Sequence, residues 1–419
     1  MRSNGMDEPQ KLDDNDHRKL GQELDLFVTS ELVGSGLPML TQRGTVLREQ
    51  LMAYSNELRE RRGFSKVWTP HITKTDLYKT SGHWDKFGAE LFLVKSQETK
   101  DQLVLKPMNC PHHTQIYASR PRSYRELPFK YLETATVYRD EKSGELQGLA
   151  RVRSISMDDS HVFCRPDQIE NSVKELIEAA QETYETIGMG LKFRLSFRDK
   201  GKGYLGSSEL WDKAQKIMEQ VAKAEKLAYS VAPGDAAFYG PKIDFIAIDV
   251  LGREWQLATV QLDFVQPERF KLSYIDEKGH EQRPVMIHCA LLGSIERFLA
   301  IYIEHTSGKF PLWLAPEQLR IMTLNDEESI LKMAKNVVES AKQLGIRAEL
   351  DDSNESVGKK IRNVEVMKVP YAVVIGQKEL DSKKIVPRVR SDLGKQPAQA
   401  MAIDDFLAKI AEQASSRSK

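Results

Sequence analysis

Arg139, Asp140 and Glu141 close a run rich in β-branched and aromatic residues (134–138), and Arg151 and Arg153 return after a polar, glycine-bearing segment at 140–148. A guanidinium fixed at the end of a strand meets phosphate oxygens bidentately, and a flexible charged loop can close over it. On a bare surface hairpin the same residues would form solvated ion pairs of little worth. Arg297 stands in an almost wholly apolar stretch, 290–303. Buried without an anion it would be strongly destabilising, so it too points to a carboxylate or phosphate. Gln256 and Gln261 sit among apolar neighbours and need a partner or a ligand. Cys110 and His113 fall close together in KPMNCPHH. They read either as a buried cysteine beside a turn or as metal ligands whose partners come from elsewhere. There is no G-x-x-x-x-G-K-[ST] and no G-x-G-x-x-G after a strand, which excludes Walker and Rossmann nucleotide sites. A nucleotide would have to be held by arginines on an antiparallel sheet.

These residues need particular elements to carry them. Residues 134–138 and 151–157 predict an antiparallel strand pair around a long loop. Apolar spacing over 45–62 predicts a helix ended by Gly63, and 64–70 a strand stopped by Pro70. Strands are expected at 102–105, 192–196, 254–264 and 284–289, with a further strand opening from the turn at 236–245. Helices are expected at 167–188, 208–227 and 290–303, and Asp16 caps a short one. Residues 306–316 look like a linker, after which strands (319–323, 347–350, 371–375, 384–390) alternate with helices (327–344, 357–369, 403–414). That alternation implies a small, mostly parallel sheet covered by helices.

The chain of 419 residues exceeds one ordinary core, so two or three domains are expected. Hydrophobic content of 40% and charged content of 29% describe a globular protein. No apolar run reaches the roughly 18 residues of a membrane span, and the polar, acidic start (1–15) reads as a disordered tail, not a secretory signal. Three cysteines make no disulfide framework, which fits a reducing cytosol. Lys+Arg and Asp+Glu balance at 61 each, which neither requires nor excludes a nucleic-acid partner.

In combination these segments resemble a class II aminoacyl-tRNA synthetase. The helix–strand–proline unit ending at Pro70 is similar to motif 1, Tyr138-Arg139-Asp140-Glu141 with its loop and return strand to motif 2, and Gly293-Ser294-Ile295-Glu296-Arg297 to motif 3. Three signatures in order are far more specific than one. Within the class, KPMNCP, DDSHVFC and PVMIHCALLGS, which hold Cys110, His161 and His288, resemble the threonyl-tRNA synthetases, as do SGHWDKF, AFYGPKIDF and VQLDF. The resemblance covers nearly all of 16–419 and implies an α+β catalytic domain with a central antiparallel sheet over 16–310, then a smaller α/β anticodon-binding domain over 311–419.

The resemblance implies ligation of threonine to tRNA(Thr) at the expense of ATP, by a cytoplasmic homodimer with no membrane association. It implies one Zn²⁺ per chain on Cys110, His161 and His288, an assignment that spacing alone could not make. Such a set leaves a metal position open for the substrate. Valine lacks the hydroxyl and would leave the metal and Asp159 unsatisfied, whereas serine loses only a methyl, worth roughly 1–3 kcal/mol. Met108, Met157, Asp159, Tyr239, Lys242 and Gln261 fall at threonine-binding positions, the last three near threonine and the terminal ribose. For ATP with its Mg²⁺, Arg139 holds the α-phosphate, Arg297 the γ-phosphate and Glu141 the adenine amino group. Arg151 belongs to a mobile covering loop, Gln256 and Thr259 face the nucleotide, and Ile155 stands where the family usually stacks a phenylalanine on adenine. His83 matches a residue that assists transfer to tRNA, and Asn354, Glu379 and Arg388 match anticodon-reading positions. The chain begins about where the family's catalytic domain begins, so no editing domain is expected in it. Met157 replaces a usual glutamine, His112 a glycine and Cys289 an arginine, which bears on ATP affinity and inhibitor sensitivity. A non-catalytic paralogue should have lost Arg139, Arg297 or a zinc ligand, and prolyl or seryl enzymes do not match at all three ligand positions.

Overall fold

The computed structural model describes residues 12–201, 203–395 and 399–417. Most of the acidic tail (1–11) lies outside the described residues. The chain divides into two compact units. One takes Glu31–Leu37 and Met52–Leu299; the other takes the residues through Ser30, Pro38–Leu51 and Ala300 onward.

The first unit is built on an eight-stranded sheet. Its strands are β1 (Ser65–Lys66), β2 (Phe129–Tyr138), β3 (Ser154–Cys164), β4 (Gly190–Phe197), β5 (Tyr229–Pro233), β6 (Lys242–Ile248), β7 (Glu254–Asp263) and β8 (Val285–Ala290). They lie in the order β5-β4-β6-β7-β8-β3-β2-β1. The central pairs are antiparallel, as expected, but β5·β4 and β1·β2 at the edges are parallel, so the sheet is mixed. The long strand predicted over 64–70 contracts to β1, because Val67 makes its last sheet contact through N–H to Leu132 O and the chain leaves before Pro70. Alternation along β3 sends Ile155, Met157, Asp159 and His161 to one face and Ser156, Asp158 and Ser160 to the other. On that second face pack α1 (Gln42–Glu60), through Ser55 and Arg59, and α3 (Ile169–Ile187). The buried side of α3 (Val173, Leu176, Ile177, Ala180, Tyr184, Ile187) follows helical period, as its sequence requires. Cys110 opens α2 (Cys110–Ala118) where only a turn was read. Pro111 suits that first turn, because its missing N–H has no intrahelical use there.

The second unit carries a four-stranded sheet of β9 (Leu319–Thr323), β10 (Ala348–Asp351), β11 (Tyr371–Ile375) and β12 (Arg388–Val389) in the order β10-β9-β11-β12. Its first three strands are parallel and β12 is antiparallel. The strand expected over 384–390 is broken into Lys384–Ile385 and β12, with Pro387 between them unable to donate to a ladder. A helix at Gln377–Ser382 has no counterpart in the sequence reading. Among the described residues, no helix is long and apolar enough to cross a membrane.

Candidate active site

On the face of the large sheet opposite Arg59, the structure brings Arg139, Glu141, Arg151, Ile155, Gln256, Thr259 and Arg297 around one cavity of about 630 Å³, together with Met108, Met157 and Gln261. Arg139 follows β2 directly, and its N–H bonds Arg153 O at 3.0 Å, which carries the strand pairing past Tyr138. The guanidinium lies 4.9 Å from the centre of the Phe87 ring, and Nη2 is 3.1 Å from Met108 Sδ. Its Nε is buried with no hydrogen-bond partner, and burial lowers its pKa below the ordinary arginine value. A cation held by packing, with a donor to spare, is a site for an anion.

Arg297 corrects an expectation. The apolar stretch is not one helix: β8 runs to Ala290, a turn follows, and α4 (Ile295–Thr306) begins only after Ser294. Arg297 therefore sits in the first turn of α4, exposed at the cavity, instead of buried within a helix. The turn needs Gly293, whose φ is +68° and whose added Cβ would meet Leu257 O at 2.6 Å. Partial burial and the Arg151 charge both lower the Arg297 pKa, which an incoming polyanion would reverse. Arg151 and Arg153 precede β3 instead of lying on it, because the loop folds on itself through the Gln147–Arg151 bridge. Arg151 Nη2 pairs with Glu141 and Glu145, each at 2.7 Å.

The floor of the cavity depends on a bulge. Phe245 pairs with Ala258, but Ile246 pairs with Gln256, which leaves Leu257 as the extra residue. Strict alternation would put Gln256 and Thr259 on opposite faces; the bulge puts both on the face of Asp244. Buried Asp244 accepts from Gln256 (2.7 Å), Thr259 (3.2 Å), Ser196 (2.6 Å) and Lys242 (2.9 and 3.1 Å). Lys242 is thus engaged by Asp244. Gln261 donates to Thr259 (3.3 Å) and accepts from Tyr239 (2.5 Å), so both glutamines have partners as anticipated.

Tyr239 also stacks on His288, with ring centres 4.9 Å apart. There Cys110, His161 and His288 come together, all buried, with their ligand atoms within 4.8 Å of one another. His161 Nε2 and His288 Nδ1 are 3.1 Å apart, close to the ~3.3 Å between two nitrogens on one tetrahedral zinc. His288 Nε2 lies 2.9 Å from Asp263 Oδ2, the carboxylate partner that holds a ligating imidazole in one tautomer. The donor set and its spacing fit a Zn²⁺ ion. Burial raises the Cys110 thiol pKa, the opposite of what a metal-bound thiolate needs, so a bound cation would supply the missing compensation. Asp159 lies beside the group, 3.7 Å from His161 Nε2, and burial together with the Glu133 charge pushes its pKa up to about 8. His83 Nε2 lies 3.7 Å from Cys110 Sγ while Nδ1 meets Ser81 Oγ at 2.7 Å; burial and neighbouring positive groups bring its pKa down to about 3. Of the substituted positions, Ile155 and Met157 line the cavity, Cys289 is buried on β8, and His112 is buried with neither ring nitrogen hydrogen-bonded.

Asp244, Asp263, Arg59 and Asp158 escaped the sequence reading. Asp244 and Asp263 are polar residues in apolar strands, within PKIDF and VQLDF, and that pattern could have flagged them. Arg59, within the charged run that closes α1, lies at i+8 from Leu51 through Ser55, on the buried stripe of the helix. It pairs with Asp158, whose other oxygen accepts the N–H groups of Leu291 (3.0 Å) and Leu292 (2.8 Å) and so anchors the turn before Arg297.

The residues matched to anticodon reading lie in the other unit. Asn354 is exposed in the turn after β10. Glu379 caps the Gln377–Ser382 helix by accepting the Gly376 N–H at 3.0 Å. Arg388 lines a cavity of about 330 Å³ with Lys309, Lys368 and Arg390.

Comparison with known proteins agrees with this geometry. Residues 92–306 match the tRNA synthetase class II core domain (G, H, P, S and T), and residues 318–413 the anticodon binding domain. The threonine–tRNA ligase of Gloeobacter violaceus is 47% identical over 409 residues, 96% of this chain and 65% of that protein; the chain thus spans just under two thirds of the curated relative's length. The RNA binding domain of threonyl-tRNA synthetase from Cryptosporidium parvum Iowa II superposes with a TM-score of 0.89 at 35% identity, covering 95% of this chain and 98% of that one. A threonyl-tRNA synthetase described as putative from Aeropyrum pernix gives 0.84 at 30% identity, covering 96% and 97%. With its paired arginines, its Cys–His–His group and these relatives, the chain belongs to the threonyl-tRNA synthetase family of class II.

Proposed function

We propose that the chain activates threonine with ATP and transfers it to the 3′ end of tRNA(Thr), with 16–310 as the catalytic part and 311–419 as the anticodon-binding part. The observation that carries this is the Cys110–His161–His288 group beside a cavity in which buried Arg139 keeps a donor free. Threonine's carboxylate is already ionised, so its attack on the α-phosphate needs no general base. Catalysis is then positioning and charge stabilisation. Arg139 meets the α-phosphate where charge develops and Arg297 meets the γ-phosphate. Glu141, released from Arg151, accepts from the adenine amino group, while Arg151 turns to the bound nucleotide. Gln256 and Thr259 hold the nucleotide side of the floor, with Ile155 against the base. Met108, Met157, Asp159, Tyr239, Lys242 and Gln261 enclose threonine and the terminal ribose, and His83 assists transfer. Zn²⁺ held by Cys110, His161 and His288 would supply a Lewis-acid position for threonine's amino group and hydroxyl, selecting against valine. Mg²⁺ accompanies ATP and offsets its charge. Asn354, Glu379 and Arg388 read the anticodon.

A cytoplasmic homodimer completes the reading. Its support is the exposed apolar side chains that follow edge strand β1 along the chain, Trp68 (73%) and Ile72 (47%). The test is zinc content together with threonine-dependent exchange of pyrophosphate into ATP. One zinc per chain, with exchange for threonine and serine but not valine, is expected. A folded, zinc-free protein, or zinc without exchange, would sink the proposal.

A further inference from the structure

Behind His161 lies a set of buried side chains that the activity proposed above does not use: His113, Glu133, Asn109, Thr69 and Lys106. We propose that His113 is a positioning residue, held by Glu133, that fixes the tautomer and ring orientation of His161 so that Nε2 keeps its lone pair toward the metal position. This rests on the reading of Cys110, His161 and His288 as a metal centre.

The direction of each bond follows from the one member that can only donate. Lys106 Nζ reaches Thr69 Oγ1 at 2.7 Å and Asn109 Oδ1 at 3.1 Å. That fixes the Asn109 carbonyl as an acceptor and turns its amide nitrogen to Glu133 Oε2 at 2.8 Å. Glu133 Oε1 accepts the Thr69 N–H at 2.9 Å, and Oε2 lies 3.2 Å from His113 Nε2, which is also 3.0 Å from Asn109 Nδ2. The carboxylate accepts only, so the amide and the imidazole both donate to Oε2, because an unprotonated Nε2 would set its lone pair against the carboxylate. The His113 proton is then on Nε2 and His113 Nδ1 carries a lone pair. His161 Nδ1 lies 2.7 Å from that lone pair and must bring the hydrogen. His161 Nε2 is then unprotonated and faces His288 Nδ1. All of these residues are buried, which leaves no bulk water to take over the bond to His161 Nδ1. The two imidazole ligands are thus oriented differently: His288 by a carboxylate directly, His161 through a second histidine.

The experiment compares the full chain with His113→Leu and His113→Gln. Zinc affinity is measured by competition with a chromophoric chelator, and geometry by the visible spectrum of the Co²⁺-loaded protein; circular dichroism of the metal-free forms reports folding. His113→Leu should lose about 10–100-fold in zinc affinity and change the cobalt spectrum. His113→Gln, which offers an acceptor to His161 and a donor to Glu133, should stay near the parent in both. If His113→Leu does not fold, His113→Gln alone decides. Parent-like zinc binding by His113→Leu, or a His113→Gln that folds but has lost the parent's affinity and cobalt spectrum, overturns the inference. A parent chain that binds no zinc overturns the metal reading instead, and this inference with it.

Discussion

The two ends of the site solve opposite problems. At the end proposed for phosphate, Arg139 is buried with an unpartnered Nε, and the Arg151 charge adds to partial burial in lowering the Arg297 pKa. At the metal end, each ring nitrogen of His161, His288 and His113 has a neighbour at 2.7–3.2 Å. The first region is incomplete until an anion arrives; the second is preorganised down to its proton positions. Incompleteness at a ligand end carries binding and catalysis at the expense of stability, and completeness at the other fixes geometry before a ligand is present.

Substitutions at the two ends should therefore separate activity from stability. Arg139→Met should lower pyrophosphate exchange about 10²–10³-fold without lowering the thermal midpoint. A midpoint that falls with activity would mean that Arg139 is structural and would break the contrast. At the other end, burial alone would raise the Glu133 pKa, but hydrogen bonds from His113 and Asn109 and the Lys106 charge outweigh it and hold the pKa at about 2, against 4.5 ordinarily. Its ionised form thus stabilises the fold fully above pH 4.5, and that contribution fades as pH falls toward 2. Glu133→Gln should cost up to ~3 kcal/mol at neutral pH, and denaturant curves of parent and variant should converge on acidification. A gap independent of pH would count against the relay. Asp263→Asn should weaken zinc binding about 10–100-fold while leaving ATP binding unchanged; equal weakening of both would mean that the two ends are not separable. The smallest effect belongs to Ile155→Phe. An aromatic facing the cavity should tighten ATP by ~1 kcal/mol, read as a several-fold drop in KM for ATP at constant KM for threonine.

Much of this was legible along the chain. Period-2 and helical spacing located the strands at 102–105, 319–323 and 371–375 and the long helices to within a few residues, and the motifs carried the class and the ligand residues. What failed shares a cause. Apolar continuity started the helix at 290, absorbing the turn after β8 that Gly293 makes, because a buried turn between apolar elements carries no periodicity of its own. Asp244 meets Ser196 and Gln256, and Asp263 meets His288, across strands, and the bulge at Leu257 that re-aims Gln256 has no signature in a single segment. Arg59 was missed because apolar spacing marks a buried stripe by its hydrophobic members alone, whereas its position on α1 points inward.

The register of the large sheet sets Lys242, Gln261, His288, His161 and Tyr131 opposite one another on five adjacent strands. Two of the three proposed metal ligands, His161 and His288, are therefore written across the chain, in a row perpendicular to it, and Cys110 joins them from α2. Such a row tolerates exchange of neighbouring letters but not a shift of the line: one residue inserted within β3 or β8 would turn the histidine to the opposite face. Insertions and deletions that keep the histidines together are confined to the loops between the strands. Metal binding is for the same reason a sensitive reporter that the strands have assembled in their correct alignment.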